Sequence, residues 1–559
     1  MSHEKREKDL SRRNFLRSAG LAAVGAGALA GCSPQVVPAE ETPEAPAPEA
    51  QAPAAAAQPS FLTQPDPIPD SEIKDTVTSD VVIIGAGIAG LSAALGAAEA
   101  GAKVAVIEKR ETFTTRGMHI AAVGSKVQKE LGIEIDAEQA VREIVRWSLK
   151  RVKENLHWLF IEKSGEAMDW ITDMVRAEGM DVTLWAGHYK GPDYYEYPVT
   201  HIVVGGPGAE RFAFMEDVGS VLEKNAEKLG AEFYYNVRAA QLVRPDNDRV
   251  TGVIVENADG DYVKYEGTKA VILATGDYGA DDEMIDYYCP PARIADVPVY
   301  TPVGVNTGDG HKMGLWAGAA MQASEPHAPM IHTQGAASSY CFLHVNKFGQ
   351  RYENEDISAQ ATCTGKAMQP DNIGWAVYDE NCLEMLPETV EIGGGLMWDQ
   401  VARFWGQPFD LERERGSIQR QIENGIVVTA DTIEELAEKM GVPADNLKAT
   451  VERYNELADK GKDEDFGKRP ELLCRIDKPP FYGGIMKSAL LVIVGGLSIN
   501  EKMQVLDNES LPIPGLYAVG NVGGDFFGGD YPTIFPGHSH GRAITFGRLG
   551  GTFAAGEQA

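Results

Sequence analysis

Cysteine is scarce in this sequence, and no cysteine stands in a short motif. Six cysteines occur in 559 residues, and neither CxxC nor CxxCH is present, which argues against attached haem and the common iron–sulfur patterns. One of them, Cys32, belongs to an N-terminal signal described below. The other five are predicted to be buried thiols, with a cluster of distant cysteines as the open alternative: Cys289, Cys341, Cys363, Cys382 and Cys474.

Positive charge is also scarce, and long apolar runs are few. The chain has 51 Lys and Arg against 82 Asp and Glu, for a formal net charge of −31. This charge argues against binding to nucleic acid and against broad binding to an anionic membrane. Residues 19–30 form a small apolar stretch that is too short and too rich in Gly and Ala to predict a membrane span. We predict no metal site.

The first 75 residues are predicted to be an export signal and a linker. Residues 11–16, Ser-Arg-Arg-Asn-Phe-Leu, form a twin-arginine motif, and residues 29–32 resemble a lipobox, in which the cysteine is lipidated. The alternative is a plain cleaved signal with an incidental cysteine. We assign residues 1–33 to the signal and the Pro-, Ala- and Glu-rich residues 34–75 to an extended tether. The protein is therefore expected to be exported and lipid-anchored at the extracytoplasmic face of the cell membrane.

The clearest pattern in the remaining chain is a strand, a glycine-rich turn and a helix that together predict a nucleotide site. The apolar strand 81–84 runs into Gly85, Gly87 and Gly90, an alanine-rich helix follows, and a second strand ends at Glu108. The first glycine permits a tight turn, the second lets backbone amides approach a pyrophosphate, and the third lets the helix pack close to the strand. An acid at this distance holds a ribose hydroxyl. The pattern fits FAD and NAD equally, and an ordinary glycine turn is the alternative.

Two later strands favour FAD and define the predicted fold. One ends at residues 274–276, Ala-Thr-Gly, and the other ends at Gly520 and Asn521; they resemble the flavoprotein version of the dinucleotide fold, in which the last strand reaches the ribityl chain. We predict an α/β fold: a Rossmann-like FAD-binding domain split in sequence (76–310 and 485–559) by an inserted α+β capping, or substrate, domain (311–484). The pattern also predicts strands at 233–235 and 250–255 and helices at 313–320, 431–440 and 444–460.

Seven sequence fingerprints carry a resemblance to one superfamily. They are Gly85–Gly90, Ala274–Gly276, Thr307–Gly310, Val345–Tyr352, Gly495–Gly496, Gly515–Asn521 and Arg542–Arg548. From about residue 78 to residue 555, the chain resembles the FAD-dependent oxidoreductases of the fumarate reductase, flavocytochrome c and 3-ketosteroid dehydrogenase superfamily. The resemblance implies hydride exchange between the flavin and the β-carbon of an alkene conjugated to a carbonyl, and proton exchange at the α-carbon. The implied FAD-binding residues are Gly85, Ala86, Gly87, Ala89, Gly90, Glu108, Lys109, Ala274, Thr275, Gly276, Asp309, Gly520, Asn521, Gly537, Ser539 and Arg542.

The departures from the family pattern bear on the substrate. Fumarate-type members carry an arginine acid a few residues after an Asn-Glu pair, but residues 356–360 here contain no arginine. Their Glu and Arg proton relay falls on residues 335–339, where neither residue occurs, and their substrate histidine falls on Val492. A dicarboxylate needs guanidinium groups at both ends. We therefore expect a larger, less charged substrate whose alkene is activated by a ketone, a lactone or a similar group.

Six residues are candidates for catalysis. Tyr531 matches a tyrosine that polarises the substrate carbonyl in ketosteroid dehydrogenases, although its spacing to Thr545 differs; a packed tyrosine with a locally satisfied hydroxyl is the alternative. His327 matches a substrate-side histidine of the family, and four residues are candidates by position: His332, Tyr340, His538 and His540. For Arg542, pairing with a structural acid or with backbone carbonyls is favoured over a carboxylate clamp. His119 stands one place from the position where some fumarate reductases attach FAD covalently, so non-covalent FAD is expected.

These inferences combine into one functional expectation with two rivals. We expect an FAD-dependent reductase of the C=C bond of an α,β-unsaturated carbonyl compound (an enone, a lactone or an unsaturated acid larger than fumarate), used in anaerobic respiration. Its partners would be a small-molecule substrate and a separate electron donor, a membrane or haem protein. The first rival is the reverse chemistry, oxidation of the 3-ketosteroid Δ1-dehydrogenase type. The second rival is a non-catalytic flavin-binding surface receptor.

Overall fold

The computed structural model describes residues 58–185, 191, 195, 197–205, 215–298, 302–334, 340–390, 392 and 409–558. The predicted signal and lipobox lie outside the described residues, as does the linker up to residue 57. Part of the remaining predicted linker contacts the folded body: Phe61 is only 4% exposed, and its carbonyl accepts a hydrogen bond from Trp316 Nε1 at 2.9 Å. Most of residues 63–72 are exposed, and a strand already begins at Ile73, inside the predicted linker.

The bounds of the regular elements are as follows. The strands are β1 (Ile73–Ile84), β2 (Val104–Ile107), β3 (Ile120–Ala121), β4 (Asp181–Leu184), β5 (Thr200–Val204), β6 (Glu232–Tyr234), β7 (Arg238–Val243), β8 (Gly252–Glu256), β9 (Tyr262–Leu273), β10 (Val297–Pro298), β11 (Pro329–Gln334), β12 (Leu343–Asn346), β13 (Gly374–Tyr378), β14 (Val427–Ala430), β15 (Phe481–Ile485), β16 (Lys487–Ile493), β17 (Gln504–Leu506) and β18 (Pro512–Ala518). The α-helices are α1 (Ile88–Glu99), α2 (Lys126–Glu130), α3 (Ala137–Trp147), α4 (Glu154–Ala177), α5 (Met215–Lys228), α6 (Asp282–Tyr288), α7 (Asp309–Trp316), α8 (Ala359–Ala367), α9 (Glu380–Glu384), α10 (Leu386–Thr389), α11 (Leu411–Glu423), α12 (Ile433–Met440), α13 (Ala444–Lys460) and α14 (His538–Ala555).

The largest sheet unites the two ends of the described chain. Its strands follow the order β17-β18-β9-β1-β2-β6, with β8 paired to β9 and β7 paired to β8. Strand β1 runs parallel to β2 and β9, and β9 runs parallel to β18. The buried ends of these strands are continuous runs of Val, Ile, Leu and Ala, as expected for a parallel sheet covered on both faces. The predicted α/β fold, split in sequence, is therefore confirmed.

Helices α1 and α14 pack against each other and fix the first nucleotide-binding segment to the last. Both helices are rich in small residues at the contact. A Cβ atom on Gly551 would lie 2.1 Å from the carbonyl oxygen of Ala93, so only glycine permits this approach of the two backbones. The close packing brings the N-terminal ends of both helices to one cavity.

A second lobe has its own sheet and core. Strands β12, β13, β15 and β14 form an antiparallel sheet that packs with helices α9 to α13 around a separate hydrophobic cluster. The predicted helix 444–460 is confirmed at both ends, and the helix predicted at 431–440 begins two residues later. The helix predicted at 313–320 instead spans Asp309–Trp316, because its first turn starts at the left-handed Gly308. The domain boundaries predicted at 310 and 484 fall inside α7 and β15.

The cysteines correct one expectation. Cys382 and Cys474 form a disulfide across 92 residues of sequence, whereas Cys289, Cys341 and Cys363 are buried thiols. The buried-thiol prediction is wrong for the first two, because their proximity comes from tertiary packing in the second lobe and not from sequence spacing. Within the described residues, no helix is long and apolar enough to cross a membrane, and no group of His, Cys, Asp or Glu could hold a metal ion.

Candidate functional site

A cavity of about 400 Å³ opens where β1, β2, β9 and β18 end. Twelve of the sixteen predicted FAD-binding residues line it: Gly85, Gly87, Ala89, Glu108, Lys109, Ala274, Thr275, Gly276, Asp309, Gly520, Asn521 and Ser539. Of the six predicted catalytic residues, only His540 lines it. The sequence therefore located the cofactor end of the site much better than the substrate end.

The glycine-rich turn is shaped by close backbone contacts. Gly85 adopts a φ of +106°, and its amide donates to the carbonyl of Ile107 at 2.7 Å. A Cβ atom on Gly90 would lie 1.9 Å from the carbonyl oxygen of Gly85. Gly87 begins helix α1 without any side-chain cap, so the first amides of the helix are left for a ligand at the cavity. This is the geometry that binds a pyrophosphate.

Glu108 joins the turn to the cavity. Its Oε2 accepts a hydrogen bond from the amide of Ala86 at 2.9 Å, and its Oε1 accepts one from the amide of Arg110 at 3.0 Å. Ala86 therefore orients Glu108 and does not line the cavity itself. Nearby, Lys109 Nζ pairs with Asp309 at 2.9 Å. Burial alone would raise the pKa of Asp309, but the charge and hydrogen bond of Lys109 lower that pKa below its usual value.

The polar groups of the cavity fit FAD. Thr275 Oγ1 is buried, lines the cavity and has no hydrogen-bond partner within the protein, so it offers an unsatisfied group to a ligand. Glu108 suits a ribose, the amides at Gly87 suit a pyrophosphate, and Asn521 suits a ribityl chain. The glycine turn leaves room for the phosphates where a side chain would fill the space. These residues are the ones that would hold the cofactor.

Arg542 supports the cavity from behind and does not line it. Its Nη2 donates to Asn521 Oδ1 at 2.8 Å, its Nη1 donates to the carbonyl of Gly523 at 3.0 Å, and the guanidinium lies against the rings of Phe526 and Phe527. Burial lowers the pKa of Arg542 to about 9. The pairing with a backbone carbonyl agrees with the favoured alternative to a carboxylate clamp and gives Arg542 a role in positioning Asn521, while its contact with the cofactor stays a prediction.

Gly90 and Gly537 also act through backbone packing. Gly90 packs against the carbonyl of Gly85, as described above. Gly537 precedes α14 with a φ of +82°, and a Cβ atom there would lie 2.5 Å from the carbonyl carbon of His119. Both glycines therefore shape the cavity without lining it, and their contact with the cofactor stays a prediction.

One wall of the cavity is apolar. Met330 on β11 and Val492 on β16 pair across the two strands, and Leu491 lies beside them in the lining. His332 is two residues after Met330 on β11. Both are partly buried, whereas Pro329, Ile331 and Thr333 are buried, so Met330 and His332 share a face of the strand. His332 therefore lies on the same strand face as a residue of the apolar wall, and its role towards the substrate stays a prediction.

His540 and His332 are neutral: each donates a hydrogen bond from Nδ1 and can accept one at Nε2. His540 Nδ1 lies 2.8 Å from the carbonyl of His119, and His332 Nδ1 lies 2.6 Å from the carbonyl of Thr333. A carbonyl can only accept, so each Nδ1 carries the proton and each Nε2 is left with a lone pair. Burial lowers the pKa of His540 to about 4 and also lowers that of His332.

Three other candidates lie away from the cavity. His327 is fully buried, shares a 2.5 Å hydrogen bond with Tyr278 and stacks on Tyr288. Tyr340 packs with Phe342 in the core of the second lobe. The ring of His538 is enclosed by four aromatic rings: Phe160, Phe526, Phe527 and Phe535. None of the three lines the cavity in the described part of the chain, and their catalytic roles stay predictions.

Tyr531 and Asp530 are adjacent polar residues, of which only Tyr531 was predicted from the sequence. The buried Tyr531 hydroxyl accepts a hydrogen bond from the amide of Ser539 at 3.0 Å, and burial raises its pKa. The carboxylate of Asp530 accepts hydrogen bonds from the Tyr531 amide at 2.8 Å and from Gln360 Nε2. Burial raises the pKa of Asp530 to about 6. Sequence reasoning missed Asp530, since only its place before Tyr531 pointed to it. The predicted relay segment 335–339 lies outside the described residues.

Comparison with known proteins agrees with this geometry. The family described as "FAD binding domain" matches residues 80–533. A vinyl phenol reductase from Lactiplantibacillus plantarum is 29% identical over 506 residues, which cover 85% of this chain and 96% of that protein. A digoxin reductase from Eggerthella lenta is 27% identical over 562 residues, which cover 94% of each chain. The open conformation of a flavocytochrome c3 fumarate reductase has a TM-score of 0.64 at 25% identity, over 86% of this chain and 78% of that one. The chain belongs to the FAD binding domain family and is an FAD-dependent oxidoreductase that acts on CH–CH or C=C bonds.

Proposed function

We propose that this protein reduces the C=C bond of α,β-unsaturated carbonyl compounds that are larger and less charged than fumarate. The apolar wall of Met330, Leu491 and Val492 carries the proposal. Such a wall favours contact with hydrocarbon and disfavours a carboxylate, which would lose its hydration there.

The cations in the cavity lining do not supply a clamp for a dicarboxylate. Lys109 is paired with Asp309 at 2.9 Å, and Arg116 lies 3.8 Å from the fully buried Asp277. Each positive charge thus already faces a carboxylate. A doubly charged substrate would have to compete with these acids, whereas a neutral enone would not.

Different residues of the site would bind the cofactor and contact the substrate. When bound, FAD supplies the electron pair that reduces the alkene. The amides at Gly87, the carboxylate of Glu108 and the amide of Asn521 hold the cofactor. Tyr531 keeps its proton because its pKa is raised and its oxygen already accepts from Ser539. Its hydroxyl is therefore suited to donate to the substrate carbonyl, where negative charge gathers.

Two of the relatives favour a neutral substrate. Vinyl phenol and digoxin, in the names of two relatives, carry no carboxylate, whereas the fumarate reductase acts on a dicarboxylate. We propose that a membrane or haem protein reduces the flavin in anaerobic respiration, and that the FAD is held without a covalent bond.

We also propose that the protein works outside the cytoplasm. The twin-arginine motif in residues 11–16 and the lipobox at Cys32 motivate export and a lipid anchor. The disulfide between Cys382 and Cys474 supports the same location, because such bonds persist in oxidising compartments. Incorporation of a labelled fatty acid that is lost in the Cys32→Ala variant tests the anchor, and unchanged labelling would contradict it.

The substrate proposal is tested with a matched pair of alkenes. The purified protein is reduced anaerobically, and flavin absorbance is followed after addition of fumarate or its dimethyl ester, which share one alkene and differ in charge. Cinnamate esters and 3-keto-4-ene steroids extend the neutral series. We expect the neutral compounds to reoxidise the flavin at least about tenfold faster than fumarate, a difference of about 1.4 kcal/mol in the barrier. Faster reoxidation by fumarate would contradict the proposal. Bleaching of the oxidised flavin by saturated 3-ketosteroids would instead indicate the reverse, dehydrogenase direction.

A further inference from the structure

We propose that Asp530 is the acid that protonates the α-carbon of the substrate, in place of the arginine that fumarate-type members of the superfamily carry. The proposal rests on the C=C reduction proposed above and assigns the proton donor of that same site. It applies to Asp530 alone; Gln360 and Tyr531 position this carboxyl group.

The position of Asp530 follows from its two hydrogen bonds. The Tyr531 amide donates to its Oδ1 at 2.8 Å, and Gln360 Nε2 donates to the same oxygen. Gln360 lies in α8, within the stretch 356–360 that lacks the family's arginine. Helix α8 packs against β11, the strand that contributes Met330 to the apolar wall. The carboxyl group therefore lies between the C-terminal loop and α8, the helix that packs against β11.

One carboxyl oxygen of Asp530 remains available. Among the described residues, no hydrogen bond or ion pair engages its Oδ2. Gln360 Oε1 beside it is buried and also has no partner within the protein. A protonated Asp530 is the group that would satisfy such an acceptor or pass its proton onward. The side chain is partly exposed, so it can exchange protons with water.

The surroundings of Asp530 favour its protonated form up to a higher pH than for an ordinary aspartate. Burial raises its pKa to about 6, while the hydrogen bond from the Tyr531 amide acts in the opposite direction. In the described part of the chain, no Lys or Arg lies within ion-pair distance of it. Arg151 passes Gly529 but donates to the carbonyl of Glu325, and Arg542 is engaged by Asn521 and Gly523. The neighbouring Tyr531 and Gln360 are uncharged.

The other candidates at the site are poor proton donors. His540 and His332 each use the Nδ1 proton for a backbone carbonyl and present an unprotonated Nε2. Their lowered pKa values disfavour the imidazolium form that could donate. Tyr531 is better suited to a hydrogen bond with the carbonyl, since its raised pKa opposes loss of the proton. A general acid works best with a pKa near the working pH, which Asp530 provides.

The proton and electron count of the step is complete. A C–H bond forms at the α-carbon as the O–H bond of Asp530 breaks, which leaves a carboxylate. When bound, reduced FAD would supply the other hydrogen with its electron pair to the β-carbon, so the alkene would gain the two electrons that the cofactor loses. The external donor restores the reduced cofactor, and water returns a proton to Asp530.

The experiment compares Asp530→Asn with Asp246→Asn, an exposed aspartate in a left-handed turn that asparagine also tolerates. Single-turnover reoxidation of the reduced protein is followed with an enone that the wild type accepts, between about pH 5 and pH 8. We expect the Asp530→Asn rate to fall by about 10²- to 10⁴-fold. The wild-type rate should fall as the pH rises through about 6, and this pH dependence should vanish in Asp530→Asn. Asp530→Glu should recover part of the rate.

A second readout is independent of turnover. Infrared difference spectra of the oxidised, FAD-bound protein should show a carboxylic-acid band that titrates near pH 6 in the wild type and in Asp246→Asn but is absent in Asp530→Asn. Retained FAD absorbance shows that each variant is folded. Wild-type turnover together with an unimpaired Asp530→Asn variant, or a band that survives the substitution, would overturn the role of Asp530 alone. A wild-type protein that is inert with every enone would overturn the proposed function, and the role of Asp530 with it.

Discussion

At the scale of single residues, the cofactor end of the site depends on backbone approach more than on side-chain chemistry. Glu108 holds the turn by accepting from the amide of Ala86, and Arg542 holds Asn521 in place. Glu108 was predicted from its spacing to Gly85, and Asn521 and Arg542 were implied by the family resemblance, yet the sequence could not show which of these residues face the ligand. Whether a residue lines the cavity or packs behind a residue that does is set by tertiary packing. Arg542 and Gly90 both contact lining residues without lining the cavity themselves.

We predict that Gly90→Ala weakens FAD binding. The added Cβ atom would lie 1.9 Å from the carbonyl oxygen of Gly85, so helix α1 must move away from the turn whose amides face the pyrophosphate. Overpacking of this kind costs about 1–3 kcal/mol. Gly416→Ala, in the middle of helix α11, is the control, because its Cβ atom would meet only the flexible tip of Arg420 at 3.7 Å. The FAD-to-protein ratio after gel filtration checks the prediction, and full occupancy in Gly90→Ala would contradict it.

At the scale of elements, local sequence patterns predicted both ends of one helix correctly. They did not predict the start of another helix or the disulfide pairing, which depend on tertiary structure. Helix α13 was predicted at both ends because its amphipathic pattern runs to the left-handed Gly461. The start of α7 was misplaced, since its first turn continues directly from a nucleotide-binding loop. The disulfide could not be predicted, because Cys382 and Cys474 lie 92 residues apart and their pairing follows from how the second lobe packs.

We predict that this disulfide stabilises the second lobe and not the cofactor site. The bond ties α9 to the segment that precedes β15, and closure of a loop of this length contributes about 2–5 kcal/mol. The Cys382→Ala/Cys474→Ala protein should melt at a lower temperature and retain its FAD at ambient temperature. Dithiothreitol should lower the melting temperature of the wild type but not that of the double variant. Equal responses of the two proteins to the reductant would contradict this assignment.

At the scale of the whole molecule, buried histidines couple stability to pH. Burial lowers the pKa of His119, His157 and His327 to about 3 and that of His201, His311 and His540 to about 4. It also lowers the pKa of His538 well below its usual value, with the charges of His157 and Arg542 acting in the same direction. In the unfolded chain these side chains titrate near 6.5, so below that pH the unfolded state binds protons that the folded state excludes.

The folded state should therefore lose stability as the pH falls below about 6.5, and the loss should continue towards the folded pKa values. Each such histidine contributes up to about 1.4 kcal/mol per pH unit in this window. Melting temperatures of the FAD-bound protein at about pH 7.5 and about pH 5.5 measure the effect. His538→Phe is the sharpest variant, because the ring is already enclosed by four phenylalanines and neither ring nitrogen has a partner within the protein. Phenylalanine fits that apolar nest and cannot titrate, so His538→Phe should lose less stability on acidification than the wild type. If the two proteins show the same difference in melting temperature between the two pH values, His538 is not a source of the pH dependence.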